Sequence, residues 1–353
     1  MIVISLIYFL FGMLILRYFI ELQRSIVING RKVITLRTML GLDYGHLQLT
    51  LPNWRVEGAN NPFVIKLFPG WLSMGSIPYW IMMISSNAIW YFSIQRYGEM
   101  QKYGVFGNIF IIIIYSVVFR KFLNDRHETL YLHFCKFISG LLRIQLLERF
   151  EYIIYRAKLA VNEINRLKFK TNNIKSMLIA IEDHDFYQHR GVSIKSMGRA
   201  MLSQIPSIRK RNNILRSGGS TITMQLIRSL FIPSGQNPLT RKIMEIFLSI
   251  WFEFQFSKKE ILDFYIASVR YETGCLGLAK GSEHFFGNEK RVYSNEEAFL
   301  LVERLSNIRS SFSVQRINHL VNRIHNLSEI ELSESLLFQL YNRMETKGTL
   351  KRM

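Results

Sequence analysis

The chain has 353 residues, 49% of them hydrophobic, which is enough for two ordinary domains and a sizeable core. Its formal charge of +19 points to an anionic partner: nucleic acid, anionic lipid or a phosphorylated substrate. Two cysteines, Cys135 and Cys275, exclude a disulfide framework and a thiolate metal site, and the eight histidines form no ligand-spaced cluster.

Residues 1–20 carry no charge except Arg17 and are long enough to cross a bilayer core of ~30 Å. No small-residue cleavage site follows, so the run reads as an uncleaved anchor. Ser25-Ile26-Val27-Ile28, then Asn29-Gly30, then Arg31 to Leu36 predict a β-hairpin near 25–36, because Asn-Gly supplies the positive φ angles of a tight turn. Two further apolar runs lie at 77–94 and 105–119; Pro78, Ser85, Ser86 and Asn87 weaken the first, and the second is short for a span. They suit a helical hairpin, with buried helices of a soluble core as the competing reading. Arg96, Lys102, Arg120 and Lys121 all favour the cytoplasmic side, which conflicts with an outward-facing domain directly after three spans. The number and orientation of spans therefore stay open. Residues 130–147 are apolar but interrupted by Lys136 and Arg143, the composition of an interfacial helix. Residues 1–145 thus read as a membrane-anchoring region with one to three transmembrane helices.

From residue 148 the pattern is helices joined by loops. Ile174, Met177, Leu178 and Ile181 mark one face of a helix that ends at Glu182 and Asp183. Consecutive helical residues point ~100° apart, so only one of these acids faces a given site. Ser193 is placed to cap the next helix, whose stripe is Ile194, Met197, Met201 and Ile205. Between residues 186 and 244 there is no Asp or Glu, while ten Lys or Arg residues occur. A basic, acid-free lane bounded by Glu182 and Glu245 suits a polyanionic substrate that needs proton transfer.

Within that lane Gly218-Gly219-Ser220 precedes a helical segment from Thr221 to Leu230, where backbone N–H groups and the positive dipole end could seat phosphate oxygens. A helix entered at Pro238 carries Arg241, Lys242 and Glu245 on one face. Ser257-Lys258-Lys259-Glu260 reads as a capping box, with Ile261, Leu262, Tyr265 and Ile266 buried behind it. Residues 296–305, 314–326 and 332–344 read as further helices that close the packing.

Four ordered motifs now stand on the page: Glu182-Asp183-x-x-Phe186-x-x-His189-x-Gly191; Gly218-Gly219-Ser220-Thr221-Ile222-Thr223-Met224-Gln225-Leu226; Arg241-Lys242-x-x-Glu245; and Lys259-Glu260-Ile261-Leu262-x-x-Tyr265. This arrangement resembles the peptidoglycan glycosyltransferases of family 51, found in class A penicillin-binding proteins and in monofunctional transglycosylases. The resemblance covers residues 150–310 and leaves the first 145 unexplained. It implies a mainly α, lysozyme-like domain over 146–312, followed by C-terminal helices over 313–353.

The resemblance further implies polymerisation of lipid II into glycan strands, with inversion at the anomeric carbon and release of undecaprenyl pyrophosphate. Glu182 would be the general base and Glu245 the second carboxylate, beside Arg241 and Lys242. Asp183, Phe186, His189, Gly191, Gly219, Ser220, Thr221, Gln225 and Arg228 are the other substrate-binding candidates. Phe186 and His189 are expected to shape the loop rather than react. A divalent cation, Mg2+ or Mn2+, would be bound through the pyrophosphate at Glu245; no other metal site is expected. Expected partners are lipid II, the growing glycan strand, the membrane, and cell-wall synthesis or division proteins. Nucleic acid is the poorest explanation of the charge, since aromatics do not interleave regularly with the bases. The expected location is the bacterial cytoplasmic membrane, with the catalytic domain on its outer face.

The sequence departs from the family after Tyr265, where Leu-Asn and an aromatic–glycine turn are replaced by Ile266-Ala267-Ser268-Val269-Arg270-Tyr271-Glu272. Lys280, Gly281 and Ser282 replace an alanine-rich helix segment. These changes motivate an alternative: a catalytically weakened scaffold that binds lipid II and recruits other wall-synthesis proteins. A glycan-cleaving lysozyme-like enzyme is a weaker reading, because hydrolysis gives no reason for the basic lane. The chain ends at Met353, which leaves no room for a transpeptidase domain; Ser207-Ile208-Arg209-Lys210 matches Ser-x-x-Lys by chance, without partner motifs.

Overall fold

A computed structural model describes residues 1–39, 76–98, 103–123, 129–147, 150–198, 219–287, 290–306 and 311–352. It divides into two compact units, Met1–His133 and Phe134–Met353.

The first unit contains α1 (Ile2–Met39), α2 (Ile77–Gln95) and α3 (Gly104–Leu123), which pack on one another. Helix α1 runs through residues 25–36, so the expected β-hairpin is not formed. Once the apolar first turns are helical, each added residue contributes a hydrogen bond at little extra entropy, and Asn-Gly is absorbed rather than turned. Leu16, Ile20, Tyr79, Ile111, Tyr115 and Phe119 form the seam between the three helices. Polar contacts also lie in the seam. Ser86 Oγ and Tyr115 Oη are 2.9 Å apart, as are Tyr79 Oη and Ser116 Oγ, and Tyr8 Oη donates to Ser85 Oγ at 3.0 Å. Gly12 and Gly107 admit Tyr115 and Trp90 where a Cβ would collide.

Outward, by contrast, stand Val3, Ile4, Ile7 and Phe11 of α1 and Val105, Phe106, Phe110 and Ile113 of α3, all exposed. An apolar exterior around small and polar interhelical contacts is the arrangement that suits lipid rather than water. Among the described residues, Ile2–Ser25 and Gly104–Leu123 are long and apolar enough to cross a membrane. The serines that weaken α2 as a span face its two neighbours. The chain is membrane-associated by this construction.

Helix α4 (Leu130–Leu141) straddles the division and leaves Phe137 and Leu141 exposed. The second unit continues with α5 (Phe150–Arg166), α6 (Asn172–Glu182), α7 (Ile222–Phe231), α8 (Pro238–Gln255) and α9 (Lys258–Ser268). A short antiparallel pair, β1 (Arg270–Glu272) with β2 (Cys275–Leu276), leads into α10 (Gly277–Phe286). Then follow α11 (Asn295–Ser306), β3 (Ser311–Phe312), α12 (Val314–Leu327), α13 (Glu334–Thr346) and β4 (Lys351–Arg352), with β3 and β4 parallel. The unit is mainly helical, as the resemblance implies.

Helix α6 lies against α11, whose Ala298, Phe299, Leu300, Leu301 and Val302 are fully buried. The predicted α6 stripe of Ile174, Met177, Leu178 and Ile181 is buried as read. Helix α7 packs on α8 and α9, and the capping box of α9 is formed on both sides, Ser257 with Glu260. The Ser193 cap is also present, its Oγ accepting from Ser196 N at 3.2 Å, but Ile194 points outward at 86% exposure instead of joining a buried stripe. Spacing alone missed the tie between α11, α12 and α13. Buried Glu303 accepts from its neighbour Arg304 and from Tyr341 at 3.4 Å, and lies 3.3 Å from Arg316 Nε. Burial and the Glu303 charge push the Tyr341 phenol well above its ordinary value.

The departures from the family pattern prove to be packed against each other. Tyr271 on β1 is fully buried, and a Cβ on Gly281 of α10 would lie 2.8 Å from its Cγ. Tyr293 donates to Ser282 Oγ at 2.7 Å on the next residue. Gly281→Ala is therefore expected to cost about 1–3 kcal/mol by overpacking. Chemical denaturation measures it, and the cost is smaller in a Tyr271→Leu background because the two sites share one space.

Candidate active site

Helix α6 delivers Glu182 and Asp183 at its C-terminal end, and the two carboxylates part there. Asp183 is buried: its Oδ2 accepts from the backbone N–H of Ile222 at 3.1 Å, and both its oxygens lie 3.0 Å from His189 Nε2. An aspartate on the first N–H of α7 satisfies both an orphan donor and the positive end of the helix dipole. Thr221 completes this start, its Oγ1 accepting from Met224 N at 3.2 Å and donating to Gly191 O at 2.6 Å. The N-terminus of α7, expected as a seat for phosphate oxygens, thus already holds a carboxylate of its own chain.

Several residues expected to bind substrate hold this framework. Asp183, Phe186 and Thr221 are buried within it. Phe186 lies under the Lys258 ammonium at 4.2 Å from its ring centroid, and Lys258 also donates to His189 O and to Glu253. Gly191, at φ 82°, admits the α8 backbone; a Cβ there would lie 2.7 Å from Ser249 O. His189 turns inward to Asp183, its side chain 9% exposed. The loop 184–191 is accordingly a clamp on α7 and α8. Glu253 and Lys258 belong to it; the sequence marks Lys258 only within the capping box and Glu253 not at all.

Glu182, by contrast, stays half-buried, and its Oε2 accepts from Gln225 Nε2 at 2.7 Å. One turn further along α7, Arg228 donates to Glu245 of α8 through Nε at 2.6 Å and a terminal nitrogen at 3.0 Å. Residues three apart on a helix have Cβ atoms ~5–6 Å apart, so α7 reaches both acids within a single turn. Glu245 is fully buried, and Arg241 and Lys242 lie 3.3 and 3.5 Å from its oxygens. Lys242 Nζ also donates to Ser220 Oγ at 2.7 Å, and Arg228 approaches the same hydroxyl at 3.4 Å. Gly219, beside Ser220, is half-buried.

Three cations around one carboxylate leave the cluster net positive, with each cation still partly exposed. Hydrogen bonding to Glu245 raises the Arg228 pKa above its ordinary value. Burial lowers that of Lys242, and although Glu245 opposes this, Arg228 and Arg241 add to it. This is a surface prepared for a multiply charged anion. It does not fit a divalent cation held by the protein: both Glu245 oxygens are engaged by Arg228, and three cations surround them. Among the described residues, no three His, Cys, Asp or Glu side chains converge as a metal site.

The contacts of Glu245 are unequal. Arg228 makes two good hydrogen bonds, whereas Arg241 Nε makes none despite its proximity. Arg228→Met is therefore expected to destabilise the fold by about 1–3 kcal/mol more than Arg241→Met, since a buried carboxylate then loses its main donors. Paired denaturant titrations measure the difference.

A family model described as Transglycosylase matches residues 154–327. The chain is 35% identical over 114 residues to penicillin-binding protein 1A/1B of Bacillus subtilis, which is 32% of this chain and 12% of that protein. It is 35% identical over 143 residues to penicillin-binding protein 1A of Clostridium botulinum, 40% of this chain and 17% of the relative. It is 30% identical over 157 residues to a monofunctional glycosyltransferase of Staphylococcus aureus, 44% of this chain and 54% of that protein. The matched part thus spans about half of the monofunctional relative and less than a fifth of these two penicillin-binding proteins. Residues 154–327, just under half of the chain, thus match a transglycosylase domain, and within them Glu182, Gln225, Arg228 and Glu245 are brought together as described.

Proposed function

We propose that the protein is a membrane-bound peptidoglycan glycosyltransferase that polymerises lipid II, with its catalytic domain on the outer face of the cytoplasmic membrane. The observation that carries this reading is the span of α7, with Gln225 on a half-buried acid and Arg228 on a fully buried one a single turn away. Glu182 acts as the general base and takes the proton from the 4-hydroxyl of the acceptor sugar. The acceptor oxygen forms its bond to the donor anomeric carbon from the face opposite the pyrophosphate, so the carbon inverts as its bond to pyrophosphate breaks. Charge developing on the departing pyrophosphate is met by Arg228, Arg241, Lys242 and the Ser220 hydroxyl. Glu245 holds these three cations in place. A cation carried by the substrate would meet the pyrophosphate there, but no step needs one from the protein.

A site for a lipid-borne substrate must work at a bilayer surface, and the apolar first unit supplies the association with it. The departures that motivate the scaffold alternative pack together, Gly281 against Tyr271, which supports an intact fold under either reading. Lipid II binding without any polymer would favour the scaffold over catalysis.

With purified full-length protein, labelled lipid II is expected to yield glycan polymer, and Glu182→Gln to lower the rate by about 10²–10⁴-fold, the range of general-base catalysis. Polymerisation at the wild-type rate in Glu182→Gln would remove the base assignment. Assays with and without Mg2+ or Mn2+ measure separately what a substrate-borne cation contributes. Because the Lys242 pKa is lowered, its charge is lost on raising the pH earlier than that of an ordinary lysine. KM for lipid II is expected to rise in that alkaline range, and Lys242→Arg, which keeps its charge, to abolish the rise.

A further inference from the structure

Behind the half-buried acid of the cleft lies a second hydrogen bond that the reaction described above does not use. Tyr265 of α9 is fully buried, and its hydroxyl donates to Gln225 Oε1 at 2.7 Å. The other end of the same amide, Nε2, donates to Glu182 Oε2 at 2.7 Å. The direction of this chain is dictated by chemistry. An ionised carboxylate only accepts, so Gln225 must turn its NH2 toward Glu182. Its carbonyl then faces α9, where a buried acceptor needs a donor, and the phenol supplies one. Burial and the Glu182 charge both hold that phenol in its protonated, donating form.

We infer that Tyr265 is a positioning residue for the base: it locks the Gln225 amide so that Glu182 Oε2 is held and Oε1 is the oxygen that receives the acceptor proton. This rests on Glu182 being the base. Among the described residues Glu182 Oε1 has no hydrogen-bond partner, so one oxygen is anchored and the other is left open on a half-buried side chain. The division survives the reaction. When Oε1 takes the proton, Oε2 remains an acceptor, and neither Gln225 nor Tyr265 has to move. Gln225, expected from the sequence only to line the cleft, is thereby assigned a second task, and Tyr265, expected only as core, gains a role through its hydroxyl.

The test uses full-length protein and lipid II. Tyr265→Phe keeps the ring and removes the donor, leaving the amide free to rotate and present its carbonyl to Glu182. A fall in kcat of about tenfold with KM unchanged is expected, the scale of a displaced reacting group. Gln225→Met is expected to lower kcat similarly, and adding Tyr265→Phe to it to cause no further loss, because the phenol acts only through the amide. Packing damage alone would instead make the two losses multiply. Thermal unfolding of each variant separates lost stability from lost rate, and Gln225→Met carries the test if Tyr265→Phe does not fold. The inference is overturned if Tyr265→Phe keeps the wild-type kcat or if the two effects multiply, while Glu182→Gln is inactive. A fully active Glu182→Gln would instead overturn the base assignment beneath it.

Discussion

The site depends on how a single ten-residue helix is seated. Asp183 occupies the first N–H of α7, Thr221 caps it, and Gly191 lets the α8 backbone come close enough to complete the clamp. From that seat α7 projects Gln225 to one acid and Arg228 to the other. Both carboxylates are held by side chains of one rigid segment, so their relation does not depend on loop positions. Electrostatic stabilisation of a developing anion works only if its donors are in place beforehand, and a helix start fixed by a buried aspartate holds Arg228 in that way.

The same seating explains why adjacent acids serve different ends. Glu182 stays half-buried, with one oxygen anchored and one open. Asp183, next in sequence, is spent entirely within the protein on α7 and His189. Much of the first motif, including Phe186, His189 and Gly191, is therefore framework, and Lys258 and Glu253 extend it from α8 and α9. Of the motif residues, Glu182, Gln225, Ser220 and the cations around Glu245 stay partly exposed.

The two units solve opposite solvent problems. In the second, apolar faces of α6, α7, α8, α9 and α11 turn inward, as water requires. In the first, α1 and α3 turn theirs outward, while Ser86, Tyr115, Tyr79 and Ser116 satisfy one another between the helices. In lipid there is no hydrophobic gain from burying leucine, and packing of small residues with interhelical hydrogen bonds takes over.

Much of this was legible in the sequence because it is written locally. The α6 stripe, the capping box at Ser257 and Glu260, and the three closing helices follow from spacing within one or two turns. The ordered motifs identify the domain for the same reason, since each is a short run of fixed residue types. What stayed hidden depends on partners distant in the chain. Asn29-Gly30 is the exception, a local turn signal overridden by the helix that runs through it. Tyr271 and Gly281 look like separate losses until a shared space joins them. Glu182 and Asp183 are equivalent acids on paper, because a side chain's neighbour in sequence says nothing about the helix it will meet. Residue types and their order determined which chemistry is present; only packing decided which carboxylate oxygen is held and which is left open, because side-chain direction is set by contacts that close after the chain has folded back on itself.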